Sequence, residues 1–445
     1  MLENIISSKC SDLNANDKLV LIVFVARFDR GFSDAMTLAD LADLLVLKKG
    51  LVASSMPRLL NKGLMKARSI YRSHGRPLRE FFVNEEKILA LHEGRKLCRE
   101  SIGSVFLFLQ IPTIKISSLS WSHQLPSLDP DERASNRSTV SPQVRRMVEG
   151  RKEFLDASNV LLLALLLAAS DSVGVVKGWS TRQIGAAIGV TPLALKGRLK
   201  MLLKKRVLRQ VIPGVAAPIF QGKPSTVILL NTNHPLFKST GRGVTVAINR
   251  NIRSDKESIL VRMLWLDSKS NRPIEYDREV FLLRSIPLHA FEQLEFMLLE
   301  MASQGFEKVL AEQKIDTDAL MAQAKADVGR VIRVDDDESE RSYMGLELID
   351  KLAFLVYLLV VELDARLKPM LAELREASRV LMLPGNMIQG YGYIGVLVSP
   401  AFKACDFAVE GPGAWCGFIR DEADISLGAR ERAGLDVPVQ PFSRH

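Results

Sequence analysis

Residues 37–65 and 180–208 carry one pattern at a constant spacing of 143 positions, with no gap. The earlier copy reads TLADLADLLVLKKGLVASSMPRLLNKGLM and the later one STRQIGAAIGVTPLALKGRLKMLLKKRVL. Thr37 falls on Ser180, Asp40 on Gln183, Leu41 on Ile184, Leu45 on Ile188 and Leu47 on Val190. Val52 falls on Leu195, Met56 on Leu199, Leu59 on Leu202, and Leu64-Met65 on Val207-Leu208. The apolar stretches upstream match as well, residues 19–27 falling on 162–170. A chain that repeats its caps, its turn and its core positions together is expected to build one structural unit twice.

The later copy explains what that unit is. Ser180 with Gln183 three positions on is a capping box, each side chain serving an orphan backbone amide of the first turn. Ile184, Ala187 and Ile188 share one face of the short helix that follows, and Gly189-Val190 is a turn. Thr191-Pro192 opens a second helix, the hydroxyl as cap and the proline preset for the first helical position. Leu195, Leu199, Leu202 and Leu203 line its buried face, while Lys196, Lys200 and Lys204 point the other way, with Gly197 among them. This is a helix-turn-helix pattern with a basic outer face.

Each copy runs on into a hairpin. In the first, 64–70 and 78–83 are predicted strands around a tip of Arg72, Ser73, His74, Gly75 and Arg76; in the second, 207–212 and 226–231 flank a longer loop over 213–225. Helix, helix-turn-helix and basic hairpin together resemble the winged helix-turn-helix domain of bacterial regulators. On Leu47, Lys49, Arg58-Leu59, Lys62-Gly63-Leu64 and the wing residues Gly75-Arg76, the first copy is similar to the multiple-antibiotic-resistance regulator (MarR) family. The resemblance covers about residues 16–100, and in its generic form about 155–235. Gly50, Ser54 and Pro57 depart from it, standing where the family usually carries polar or basic helix residues. It implies double-stranded DNA as partner, with the second helix of the motif in the major groove and the hairpin on a neighbouring groove or the backbone.

Charge points the same way. Residues 1–240 hold 35 Lys and Arg against 19 Asp and Glu, a net of +16, whereas 241–445 are net −7. The basic half is the half with the repeat, and positive charge attracts phosphate and releases counterions. Candidate DNA contacts in the first copy are Lys48, Lys49, Ser54, Arg58, Arg72, His74 and Arg76. In the second they are Ser180, Thr191, Lys196, Arg198, Lys200, Lys204 and Lys223, with Arg198 placed on the flank where it can instead pair inside the domain. The outward face of the first copy is Gly50, Ala53, Ser54, Pro57 and Asn61, and Pro57 is expected to kink its helix or cost about 3 kcal/mol. The second copy is therefore expected to dominate affinity, and the first to add register or to serve as a protein contact.

The expected domains are a first winged domain over 1–109, a linker over 110–149 rich in proline and serine, a second winged domain over 150–240, and a mostly helical C-terminal domain over 241–445. A first helix is expected over 18–30, capped by Asn16 or Asp17, and another over 85–101. In the C-terminal domain, 287–305, 317–332 and 343–367 have helical spacing, the last as a domain centre or a dimer seam. From Leu383 the composition turns to glycine, aromatics and proline, which predicts short strands and turns. The fold class is mainly α with small β-hairpin wings, an α+β mix.

Gly390, Gly392 and Gly395 match G-x-G-x-x-G, but a dinucleotide loop must open a helix, and Pro400 interrupts the continuation. Tyr391, Tyr393, Trp415 and Phe418 suit core packing better than a pocket. The acidic run 335–338 lacks calcium-loop spacing. Four cysteines with no CxxC pair suit a reducing cytoplasm. The apolar runs 160–169 and 352–363 are shorter than a membrane span of about 20 residues, and no leader pattern opens the chain. The expectation is a cytoplasmic, nucleoid-associated, non-enzymatic transcriptional regulator of a bacterial or mobile-element locus. It is expected to need no cofactor and no metal, to dimerise, and to receive a small-molecule or protein effector at the C-terminal domain. A plasmid or phage replication initiator and a scaffold subunit are the alternatives.

Overall fold

The structure is a computed structural model. It describes residues 1–9, 13–28, 31–71, 77–91, 97, 99–109, 156–251, 286–334, 340–367, 374, 377–384, 392–399, 408–411, 414–419 and 435. Over these the protein is mainly helical with small antiparallel sheets. Helix α1 (Leu2–Ser7) precedes the first repeat: α2 (Ala15–Arg27), α3 (Leu38–Leu44), α4 (Lys49–Asn61), β1 (Met65–Ile70) and β2 (Leu78–Val83). Helices α5 (Glu85–Ala90) and α6 (Arg99–Leu109) follow, two helices in place of the single one expected over 85–101. The second repeat is α7 (Ala157–Ala169), β3 (Val175–Val176), α8 (Thr181–Ile188), α9 (Pro192–Lys204), β4 (Leu208–Ile212) and β5 (Val227–Leu230). Beyond a 3-10 turn at Pro235–Thr240 lie β6 (Thr245–Asn251), α10 (Leu288–Glu312), α11 (Thr317–Gly329), α12 (Glu340–Leu367), β7 (Arg379–Leu383), β8 (Gly392–Ser399), β9 (Ala408–Gly411) and β10 (Ala414–Ile419). The region expected to be mostly helical, with short strands from Leu383 on, carries three long helices and a five-stranded sheet that also recruits 245–251 and 379–383. The linker expected over 110–149 lies outside the described residues, as do the acidic run 335–338, Gly390 and Tyr391.

The chain forms two compact units. One comprises residues 1–171, 180–205 and 234–241, and the other 172–179, 206–233 and 242–445. The first unit holds the helices of both repeats. Helices α2 and α7 pack on each other, with α1 and α6 against them. That explains why 19–26 and 161–168 are apolar on all sides: both helices are buried along nearly their whole length. Helix α2 starts earlier than the sequence suggests, because Asn14 is the cap; its Oδ1 accepts from Asp17 N at 2.9 Å. Asp156 caps α7 in the same way, accepting from Asn159 N at 2.8 Å. The leading helices thus correspond at a spacing of 142, not 143, with one residue inserted before the motif.

A single lysine ties the repeats together. Lys18 is 1% exposed, and its Nζ donates to Ile6 O at 3.1 Å, Ser8 O at 2.7 Å and Ala187 O at 2.6 Å. The acceptors sit at the C-terminal ends of α1 and α8, where backbone carbonyls lack helical partners and positive charge is favoured.

The second unit is layered. Its sheet runs β7-β8-β6-β10-β9, every neighbouring pair antiparallel. Val380, Met382, Val396 and Val398 face a core shared with α10, α11 and α12. Leu381, Leu383 and Leu397 face the other way, onto Val175, Ile212, Val227 and Leu229 of the sheet β3-β5-β4. Strands covered on both faces read as unbroken apolar runs, as these do. Strand β7 lies at the edge, and α10 closes it: Glu307 Oε1 accepts from Val380 N at 2.7 Å and Ser303 Oγ from Met382 N at 2.8 Å. Helix α12 buries Leu352, Ala353, Val356 and Val360 in the same core, so it is central to this unit.

Candidate nucleic-acid interface

The two repeats share backbone detail that a chance match of amphipathic helices does not explain. Three pairs of left-handed residues fall at the same spacing: Gly31 (φ 69°) with Gly174 (φ 92°), Val46 (φ 56°) with Gly189 (φ 72°), and Gly63 (φ 66°) with Arg206 (φ 59°). Both first motif helices carry the capping box, Thr37 with Asp40 and Ser180 with Gln183. Asn84 donates from its side chain to Gly63 O at 2.8 Å and from its amide to Leu64 O at 2.9 Å. Asn231 does the same to Arg206 O at 3.1 Å and Val207 O at 3.0 Å. Residues 31–36 run along β2 through bridges at Phe32–Phe82 and Met36–Arg79, as β3 runs along β5. Each repeat is therefore helix, short extended segment, helix, helix and hairpin, with the extended segment paired to the second hairpin strand.

What the repeats present to solvent differs. On α9, Leu195, Leu199 and Leu202 are buried, and Lys196, Lys200 and Lys204 are exposed. Those lysines form a stripe about 12 Å long at roughly 1.5 Å per residue. On α4 the corresponding positions are Ala53, Pro57 and Asn61, exposed and uncharged, beside exposed Gly50 and Ser54. Pro57 stands inside the continuous helix Lys49–Asn61, with its ring exposed.

The hairpins reverse the contrast. In β1 the burial falls at Met65, and Lys66 and Arg68 are exposed on one face, Arg68 opposite Glu80 of β2, while exposed Arg79, opposite Ser69, belongs to the other face. Sequence reasoning stopped at the hairpin tip and missed these three; the alternation Lys66-x-Arg68 was the available signal. Arg72, His74 and Arg76 lie outside the described residues. In the second repeat every residue of β5 is buried. Its loop, expected to reach out as a wing, is fastened at residues 331–333: Gln221 N donates to Val331 O and Arg333 N to Ile219 O, both at 2.8 Å. Ile219 and Phe220 enter the C-terminal core. Lys223 stays exposed at the tip.

The remaining candidates divide between surface and structure. Lys48 is the exposed N-cap of α4. Lys49 pairs with Asp43 at 3.0 Å in the open. Ser54 Oγ donates to Leu51 O at 3.0 Å. Arg58 is committed to Asp17, with Nε and Nη2 both within 2.9 Å of its carboxylate. Hydrogen bonds to Asp17 hold the Arg58 guanidinium above its ordinary pKa. Arg198 reaches Asp156 at 2.8 Å and Asn159 at 2.9 Å. Both arginines thus bind the first turn of the leading helix of their own repeat from positions one helical turn apart, the pairing the sequence allowed for Arg198 and not for Arg58. Ser180 and Thr191 are caps, Thr191 Oγ1 accepting from Ala194 N at 3.3 Å.

No family model matches the chain. No curated protein and no solved structure is similar enough to count as a match. Among the described residues there is no cluster of His, Cys, Asp and Glu that could hold a metal ion, and no helix is long and apolar enough to cross a membrane. His289 pairs with Glu292 at 3.0 Å on the surface of α10. Gly392 and Gly395 lie in strand β8, so the glycine motif opens no helix.

Proposed function

We propose that the protein binds double-stranded DNA through two winged helix-turn-helix repeats held in one chain, and that it regulates transcription of a bacterial or mobile-element locus. The observation that carries the reading is the exposed lysine stripe of α9, on the second helix of a capped helix pair whose backbone turns recur in the other repeat. Positive side chains on the outward face of that helix suit the phosphates that flank a major groove.

The repeats divide the work. The second offers a basic helix and a hairpin engaged elsewhere, so it contributes affinity through α9. The first offers a neutral helix face and a basic hairpin, so it contributes backbone contacts through Lys66, Arg68 and Arg79, and sets register. Packing of α2 on α7 gives within one chain the pairing that single-domain regulators obtain by dimerising. A cytoplasmic, nucleoid-bound protein, its further self-association, and an effector received by the C-terminal unit complete the proposal.

Gel-shift titration tests it. Lys196→Ala/Lys200→Ala is expected to weaken binding more than Arg72→Ala/Arg76→Ala, and to lower the slope of log affinity against log salt by roughly two. An equal or larger loss in the wing pair overturns the division of work, and no binding at low salt overturns the function. Mapping the bound DNA in cells separates a promoter operator from the iterated sites of a replication origin.

A further inference from the structure

We propose that Leu193 reads the 5-methyl group of a thymine, a step that rests on the DNA-binding function above and adds to it the base that the first turn of α9 selects. Leu193 is the second residue of α9 and is 81% exposed. It stands one turn before Lys196 and Gly197 and two turns before Lys200, so it shares their outward face. An aliphatic side chain this open, in line with three lysines, has no role in the core of its own unit.

The lysines can hold phosphates, but phosphate contacts position a protein without reading sequence. Discrimination must come from groups that reach base edges. The first turn of α9, Thr191 to Ala194, carries no amide, guanidinium or carboxylate, and the Thr191 hydroxyl already accepts from Ala194 N. Beside the proton that the Thr191 hydroxyl can still donate, this turn offers apolar contact, and Leu193 is its longest side chain. The thymine methyl is the one apolar group that a base pair displays in the major groove. Gly197, exposed on the same face, carries no side chain to stand between the helix and a groove. The corresponding residue of the first repeat is Gly50, which can make no such contact, so the inference assigns the apolar readout to the second repeat alone.

The experiment begins with a duplex selected from a randomised pool by the full-length protein. Each thymine is then replaced singly by deoxyuridine, which removes only the methyl, and affinity is read by fluorescence anisotropy. One thymine is expected to lose roughly fourfold in affinity, the worth of one buried methyl. L193A is expected to bind thymine and uracil duplexes equally and about as well as the unaltered protein binds uracil. Because Leu193 is exposed and alanine favours helix, the variant keeps its fold, which circular dichroism checks. If no thymine matters, or if its effect persists in L193A while lysine-dependent binding is intact, the inference is overturned and the DNA-binding reading stands. If L193A alters self-association in sedimentation but not the response to uracil, the leucine is a protein contact and the inference falls. If no duplex is retained even at low salt, the DNA-binding reading fails first.

Discussion

Replacing Lys18 by methionine removes one ammonium and little volume, so it isolates the polar tie between the repeats. The Nζ makes three hydrogen bonds to backbone carbonyls, at 3.1, 2.7 and 2.6 Å. Hydrogen bonds from a charged donor contribute about 1.5–3 kcal/mol each, some 4.5–9 kcal/mol in sum. Burying the ammonium costs several kcal/mol against this. In the variant that cost disappears, but three carbonyls face a thioether, each left unsatisfied at about 1–3 kcal/mol. The expected net loss is about 3 kcal/mol. A chain of two compact units need not unfold in one step, so the assay is native-state hydrogen exchange read on peptides covering 1–28 and 180–205. Protection in α1, α2 and α8 should fall together, because one atom joins all three. A loss under about 1 kcal/mol, or one confined to α1, would refute the claim that this lysine couples the repeats.

Further outcomes follow at single positions. Val46 is a β-branched residue held left-handed where the other repeat has glycine; Gly189→Val should cost about 1–2 kcal/mol. Val46→Gly should cost nothing or stabilise slightly, the relief of strain offsetting about 0.5–1 kcal/mol of glycine entropy, both read by native-state hydrogen exchange in α3 and α8. Gly214→Ala should open the second hairpin, since a Cβ there would collide with the Pro224 carbonyl oxygen; limited proteolysis should then cut within 213–225. Asp40 is held below the ordinary aspartate pKa by the Thr37 hydroxyl and then by the Thr37 amide. A depressed carboxyl adds stability that is present above its unfolded pKa and fades as pH falls through its folded one. Exchange in α3 should therefore accelerate in acid, and Asp40→Asn should abolish that pH dependence.

Local features were legible from the residues. Ser180 with Gln183 and Thr191-Pro192 mark helix starts within a few positions, because a cap and its amide are neighbours in the chain. The return strand 78–83 was readable from alternation and its flanking turn, and the outward lysines of α9 from helical period alone. Asn14 was not seen as a cap because Asp17, three residues on, is an equally good capping residue; only the pairing of Asp17 with Arg58, 41 positions away, shows that it is used otherwise. For Lys66 and Arg68 alternation supplies half of the signal: it puts the two on one face, and only packing shows that the face is bare.

The duplicated order of helices, caps and turns is written into 445 residues of sequence, since each depends on interactions that span a few positions. Tertiary structure alone decided where charge stays at the surface and where it is consumed. It turned Arg58 and Arg198 inward, fastened the second hairpin loop at residues 331–333, and buried Lys18 between helices. It also enclosed β7 and β8 on both faces, a burial that the expectation of short strands did not carry. The reason is range: partners tens to hundreds of positions apart are selected by packing, and no local period records them.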